Sequence, residues 1–156
     1  MTEKVAALLV HQNSDTFRDL QRALECQGIR LLQAVSRTDA KRKLGGLDPV
    51  PLVFTDAQLP DGTWADILGL AEKASLPVNV IVVARLVDTR FYVEAIEAGA
   101  FDFIAPPFNA MDLNYVVRTA LDNVIARRTA RSGIERRTGA TRLPTAADSP
   151  AQVSAR

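Results

Sequence analysis

Five short apolar runs, each followed by a longer stretch with apolar residues at helical spacing, constrain this chain more than any other feature. The runs are 5–10, 29–34, 52–55, 78–83 and 101–104. Runs this short, bounded by turn residues, suit strands buried on both faces of a parallel sheet. Between them, Phe17, Leu20, Ala23 and Leu24 keep a helical period, and so do Trp64, Ile67, Leu68 and Ala71. Leu113, Val116, Val117, Ala120, Leu121, Val124 and Ile125 keep it in the last helix. Helix starts are signalled by Asn13 or Ser14, by Ser36-x-x-Asp39, by Thr63-x-x-Asp66 and by Asn109-x-x-Asp112. Gly28 and Gly99 stand where a helix ends on a left-handed residue. Strict strand–helix alternation predicts a parallel sheet covered by helices on both faces. With right-handed crossovers, the leading topology is an α/β, flavodoxin-like (βα)5 sandwich with a five-stranded parallel sheet.

The charge is distributed unevenly. Residues 127–156 hold seven arginines against Glu135 and Asp148, a balance of +5, while residues 1–126 hold twelve basic and sixteen acidic residues, a balance of −4. This predicts two parts, a folded domain over 1–126 and a basic tail over 127–156 expected to be disordered. The single cysteine, Cys26, cannot form an internal disulfide and reads as a small apolar residue inside a helix. No apolar run approaches a membrane span or a signal sequence, so a cytoplasmic protein without membrane contact is expected. The tail's arginines suit non-specific phosphate contacts, but no recognition helix, zinc module or aromatic platform accompanies them, and nucleic-acid binding is not expected.

The chemically informative stretch is 51–62, Pro-Leu-Val-Phe-Thr-Asp-Ala-Gln-Leu-Pro-Asp-Gly. It drives a buried strand into the carboxylate of Asp56 and then into a Pro-Asp-Gly turn. Open α/β sheets bind ligands at the carboxyl ends of their strands, which is where Asp56 falls. An enzyme using Asp56 as a covalent nucleophile needs a general acid two residues on, and that residue is Gln58. Glycine-rich phosphate loops, His/Cys metal spacings and Gly-x-Ser-x-Gly elbows do not occur in the sequence, so enzymatic activity is not expected.

The stretch 52–62, together with Glu94-Ala-Ile-Glu-Ala-Gly-Ala-Phe-Asp-Phe103 and Pro107-Phe108, resembles the response-regulator receiver domains of bacterial two-component signalling. The resemblance covers residues 5–126 and implies the fold deduced above. It places Asp56 at the phosphoacceptor position. The family holds magnesium with acidic residues ending the first strand; here these positions are His11 and Gln12. The hydroxyl residue ending the fourth strand is Ala84, the lysine ending the fifth is Pro106, and the aromatic switch position is Phe103. Of the family's usual site only Asp56 survives, and the resemblance is to a degenerate, pseudo-receiver variant.

These replacements bear directly on the chemistry. Phosphoryl transfer relies on positioning and on neutralising the charged oxygens. A phosphoryl dianion meeting the Asp56 carboxylate is repelled by about 1–4 kcal/mol per pair of unit charges. Without the acidic pair, the hydroxyl and the lysine, a receiver-like module acting by protein–protein contact with weak or no phosphorylation at Asp56 is expected, with no cofactor. The alternative is a divergent but working regulator, phosphorylated on Asp56 by a histidine kinase with Mg2+ bound.

His11 has two readings, an imidazolium paired with Asp56 or a solvated ring at a strand end, the second being the commoner situation. Arg85 is placed to reach an anion but suits plain solvation as well. Phe91 and Tyr92 are adjacent on one helix and cannot both face the core; the resemblance implies partner binding or homodimerisation through the face of the fourth helix, fifth strand and fifth helix. Partners implied are a histidine kinase or an output or regulatory protein. Pro106-Pro107 is expected to keep the family's cis peptide.

Overall fold

In the computed structural model of the chain, residues 4–46 and 49–141 are described, with side chains through residue 133. The chain divides between Val124 and Ile125 into two compact units. The first holds a five-stranded sheet of β1 (Ala6–Val10), β2 (Arg30–Ala34), β3 (Leu52–Asp56), β6 (Asn79–Val83) and β7 (Asp102–Ile104). All neighbours pair in parallel, in the order β2-β1-β3-β6-β7. Between β3 and the next helix, a small antiparallel hairpin pairs β4 (Gln58–Leu59) with β5 (Gly62–Thr63). The α/β, five-stranded parallel architecture read from the sequence is the one observed.

Strand alternation sorts the core into two layers. Leu8, Val10, Val53, Val80 and Val82 face one side, where α2 (Arg37–Leu44), α3 (Trp64–Glu72) and α4 (Thr89–Glu97) supply Ala40, Ile67, Leu68 and Ala95. Ala7, Leu9, Leu52, Phe54 and Ile81 face the other, packing against Phe17, Leu20 and Leu24 of α1 (Asp15–Cys26) and Leu113, Val116, Val117 and Ala120 of α5 (Ala110–Thr141). With both faces covered, the strands read as continuous apolar runs.

The helix ends follow their local chemistry. Ser14 Oγ accepts from the Phe17 amide, while Asn13 takes a left-handed turn at φ 49°. Thr63 and Asp66 form a reciprocal capping box on α3. Gly28 and Gly99, at φ 77° and 116°, close α1 and α4 with paired bonds from Gly28 to Glu25, Ile29 to Leu24, Gly99 to Ile96 and Ala100 to Ala95. The buried Asn79 side chain donates to the Ala120 carbonyl and to Asn123 Oδ1, tying the start of β6 to α5.

Two expectations need correction. Cys26 is exposed. It lies two residues beyond Leu24, roughly 200° around the helix, and so faces away from the buried stripe. The basic segment is not irregular from residue 127: α5 runs unbroken to Thr141. Alanine and arginine are strong helix formers, and extending a helix that packing has already nucleated adds a hydrogen bond per residue. Residues 142–156 lie outside the described residues.

The hairpin is held by a carboxylate that the sequence suggested only as part of a turn. Asp61 Oδ1 accepts from the Arg37 amide at 2.6 Å, and Oδ2 accepts from the Thr38 amide at 3.0 Å and hydroxyl at 2.8 Å. It thus serves as a long-range cap on the first turn of α2, opposite the positive end of that helix. The Arg37 amide bond, reinforced by those from Thr38, holds the Asp61 carboxyl below the ordinary carboxylate range. A lowered folded value means stabilisation present above the unfolded pKa and lost as pH falls through the folded one. Urea unfolding should therefore show Asp61→Asn less stable than the parent at neutral pH, with the gap closing in acid. A gap that persisted with the carboxyl protonated would contradict the capping role.

Candidate functional site

Four consecutive buried residues, Leu52 to Thr55, carry β3 to its carboxyl end, where Asp56 emerges half-buried. The sheet order puts β1 and β3 side by side while the chain turns to opposite sides after them, the place where such sheets open a crevice. The crevice has a volume of about 520 Å3 and is lined by Asp56, Gln12, Gln58, Arg85, Asp88 and Phe91, with Ala57, Ala84 and Leu86 completing it. Asp56 Oδ1 accepts from the Ala57 amide at 2.7 Å, and the Thr55 hydroxyl donates to the Asp56 carbonyl. The ion pairs seen include Arg18–Asp15 and Arg42–Asp39, and among the described residues no cationic side chain lies within 4 Å of the Asp56 carboxylate.

The positions singled out from the sequence separate here. Gln12, Ala84 and Arg85 line the crevice with Asp56. His11 turns instead toward β2: its Nε2 lies 3.0 Å from Gln33 Oε1, the Ser14 amide donates to its Nδ1 at 3.5 Å, and its ring stacks on Phe17 with centroids 4.4 Å apart. It is neither paired with Asp56 nor simply solvated. Both ring nitrogens have a polar partner, and the stacking surface is apolar. Pro106 joins Pro107 through a cis peptide, as the sequence suggested.

Phe103 is buried, 8% exposed, and meets two rings edge-on: Phe91 at 5.0 Å and Tyr92 at 5.7 Å. Phe91 also meets Trp64 at 5.6 Å. The adjacent pair on α4 is resolved as its spacing required, with Phe91 half-buried against the core and Tyr92 44% exposed. Sequence reasoning missed Trp64 as the fourth ring and Asp88 as a crevice residue. Asp88 precedes an amphipathic run, which signalled its role as the α4 cap through Oδ1 to the Arg90 and Phe91 amides.

The crevice offers magnesium few charged oxygens. That ion takes a near-octahedral shell of oxygens, usually anchored by one or two carboxylates with waters and substrate phosphates. At the crevice floor Asp56 stands with the neutral Gln12, while Asp88 is engaged as a helix cap. No group of three or more His, Cys, Asp or Glu side chains suited to a metal occurs among the described residues. Nor is any helix among them long and apolar enough to cross a membrane.

No family model matches the chain. Its sequence is 35% identical over 82 residues to the response regulator protein PilR of Pseudomonas aeruginosa, covering 51% of this chain and 18% of that protein. It is 32% identical over 108 residues to the swarming motility regulation protein RssB of Serratia marcescens, covering 68% of this chain and 48% of that one. The chain thus spans less than half the length of these two relatives. A response regulator receiver domain from Clostridium thermocellum superposes with a TM-score of 0.66 at 25% identity, covering 76% of this chain and 95% of the other. The chain carries the fold of a response-regulator receiver domain, and its sequence relatives include a response regulator protein.

Proposed function

We propose that this chain is a receiver-type signalling module that acts through protein–protein contact, with weak or no phosphorylation at Asp56. The observation that carries this reading is the Asp56 crevice itself. Gln12 and Ala84 line it where the resemblance calls for a carboxylate and a hydroxyl, and the lysine position is Pro106. A phosphoryl group there meets the carboxylates of Asp56 and Asp88, with Arg85 as the sole lining cation. The partner face is that of α4, β7 and α5, where the exposed Tyr92 meets the buried Phe103 edge-on and Val93 is exposed as well. Histidine kinases and output or regulatory proteins are the partner classes this reading takes from the resemblance. Incubation with acetyl phosphate and Mg2+, read by intact mass, tests it. The unmodified mass is expected throughout; a phosphoryl adduct that disappears in Asp56→Asn would establish the divergent regulator instead.

A further inference from the structure

The helix α5 carries large apolar side chains on the side away from the sheet. Its Leu113, Val116, Val117 and Ala120 are buried in the core layer. The opposite face of such a helix is ordinarily polar. Here Met111, Tyr115 and Ile125 are 81%, 70% and 59% exposed. With Arg118 and Asp122 they fall at 111, 115, 118, 122 and 125, alternate steps of four and three that keep them in one line along an α-helix. Single exposed apolar residues are common, but a line of them at this spacing is the seam through which helices pair. An open groove of about 670 Å3 runs along it, bounded by Gln27 at the end of α1 and by Met111, Tyr115 and Arg118.

The two charges in the line select the occupant and its direction. Arg118 and Asp122 are exposed, and neither is in an ion pair among the described residues. Two copies of α5 laid parallel set Arg118 against Arg118 and Asp122 against Asp122, which repels at both layers. Laid antiparallel about a twofold axis beside residue 120, each Arg118 faces the Asp122 of the other copy, and each Tyr115 faces its Ile125. The line is therefore complementary to itself in that one orientation, as a closed twofold contact requires. The charges set direction, while the apolar residues supply the surface to bury.

We propose that the outward face of α5 is a docking surface for a second copy of this chain, joined antiparallel through Tyr115, Arg118, Asp122 and Ile125. The contact uses neither α4 nor β7 and is independent of the chemistry at Asp56. One helix from each copy makes a small interface, so the dimer is expected to form reversibly and with concentration.

The test is sedimentation equilibrium of the full chain over a wide concentration range, where a reversible monomer–dimer equilibrium is expected. Tyr115→Glu should raise the dissociation constant about tenfold or more, because it sets a charge against the apolar Ile125 of the other copy. Arg118→Asp and Asp122→Arg should each weaken the dimer by about the same factor, since the twofold turns one reversal into two like-charge pairs. Making both changes together should return the parent value. In a parallel pair the like-charge layers persist through all three changes, so the single reversals would have no effect. Thermal unfolding by circular dichroism, little changed at these exposed positions, shows that each variant is folded. A chain that stays monomeric at every concentration overturns the inference, as do single reversals without effect or a double change that fails to recover. A dimer broken by Tyr92→Glu and not by Tyr115→Glu overturns it too, because the contact then lies on α4.

Discussion

Truncating Phe54 to alanine lowers the free energy of unfolding by about 3–5 kcal/mol, the range for an aromatic side chain removed from a packed core. Phe54 is fully buried in β3, one of the largest side chains with no exposure, and β3 is hydrogen-bonded on both sides, to β1 and to β6. Its ring belongs to the layer filled by Phe17, Leu20 and Leu24 of α1 and by Leu113, Val116 and Val117 of α5. No neighbour can collapse into the space without disturbing a helix on the sheet. The same side chain lies two residues before Asp56, so the loss reaches the site as well. Denaturant unfolding of the Phe54→Ala variant measures it; a loss below about 1 kcal/mol would show that the layer repacks.

The second large effect is a gain. Placing a carboxylate, a hydroxyl and a cation back around Asp56, as Gln12→Asp, Ala84→Thr and Pro106→Lys together, is expected to make acetyl phosphate label the chain with Mg2+ present. If each group contributes a few kcal/mol to stabilising the transferring phosphoryl, the labelling rate should rise by two or more powers of ten, at about 1.4 kcal/mol per tenfold. Gln12 and Ala84 already line the crevice with Asp56, so the first two changes need no movement of the backbone. The third keeps Pro107 and its X-Pro bond. Labelling rate read by intact mass decides the outcome. A triple variant as silent as the parent would mean that the defect lies in the backbone around Asp56 rather than in the missing side chains.

The sheet was legible in the sequence because its central strands β1, β3 and β6 are buried on two faces, so their apolar runs stood out against polar helix surfaces and turn residues. Helix ends were legible where a side chain bonds its own next turn, as at Ser14, Ser36, Thr63 and Asn109. Contacts made across the chain left no such local mark. Asp61 reads as a turn residue until α2 is seen to begin on its oxygens, and His11 reads as a site residue until Gln33 and Phe17 are seen to hold it. Both turn on which neighbour a strand end or hairpin faces, which spacing along the chain does not encode. The helical run past residue 127 was hidden by composition: arginine and threonine resemble a solvated tail, although the helix already formed before them lowers the cost of going on.

The most direct test of the central claim is an amide NMR titration with beryllofluoride and Mg2+, a combination that imitates the phosphorylated aspartate. If Asp56 has lost its phosphoryl-binding surroundings, the amides of Asp56, Ala57 and Phe103 stay in place at every concentration. Saturable shifts clustered at Asp56 and Phe103 would contradict the account, because they would show a site that still closes on a phosphoryl group and still moves its buried aromatic in response.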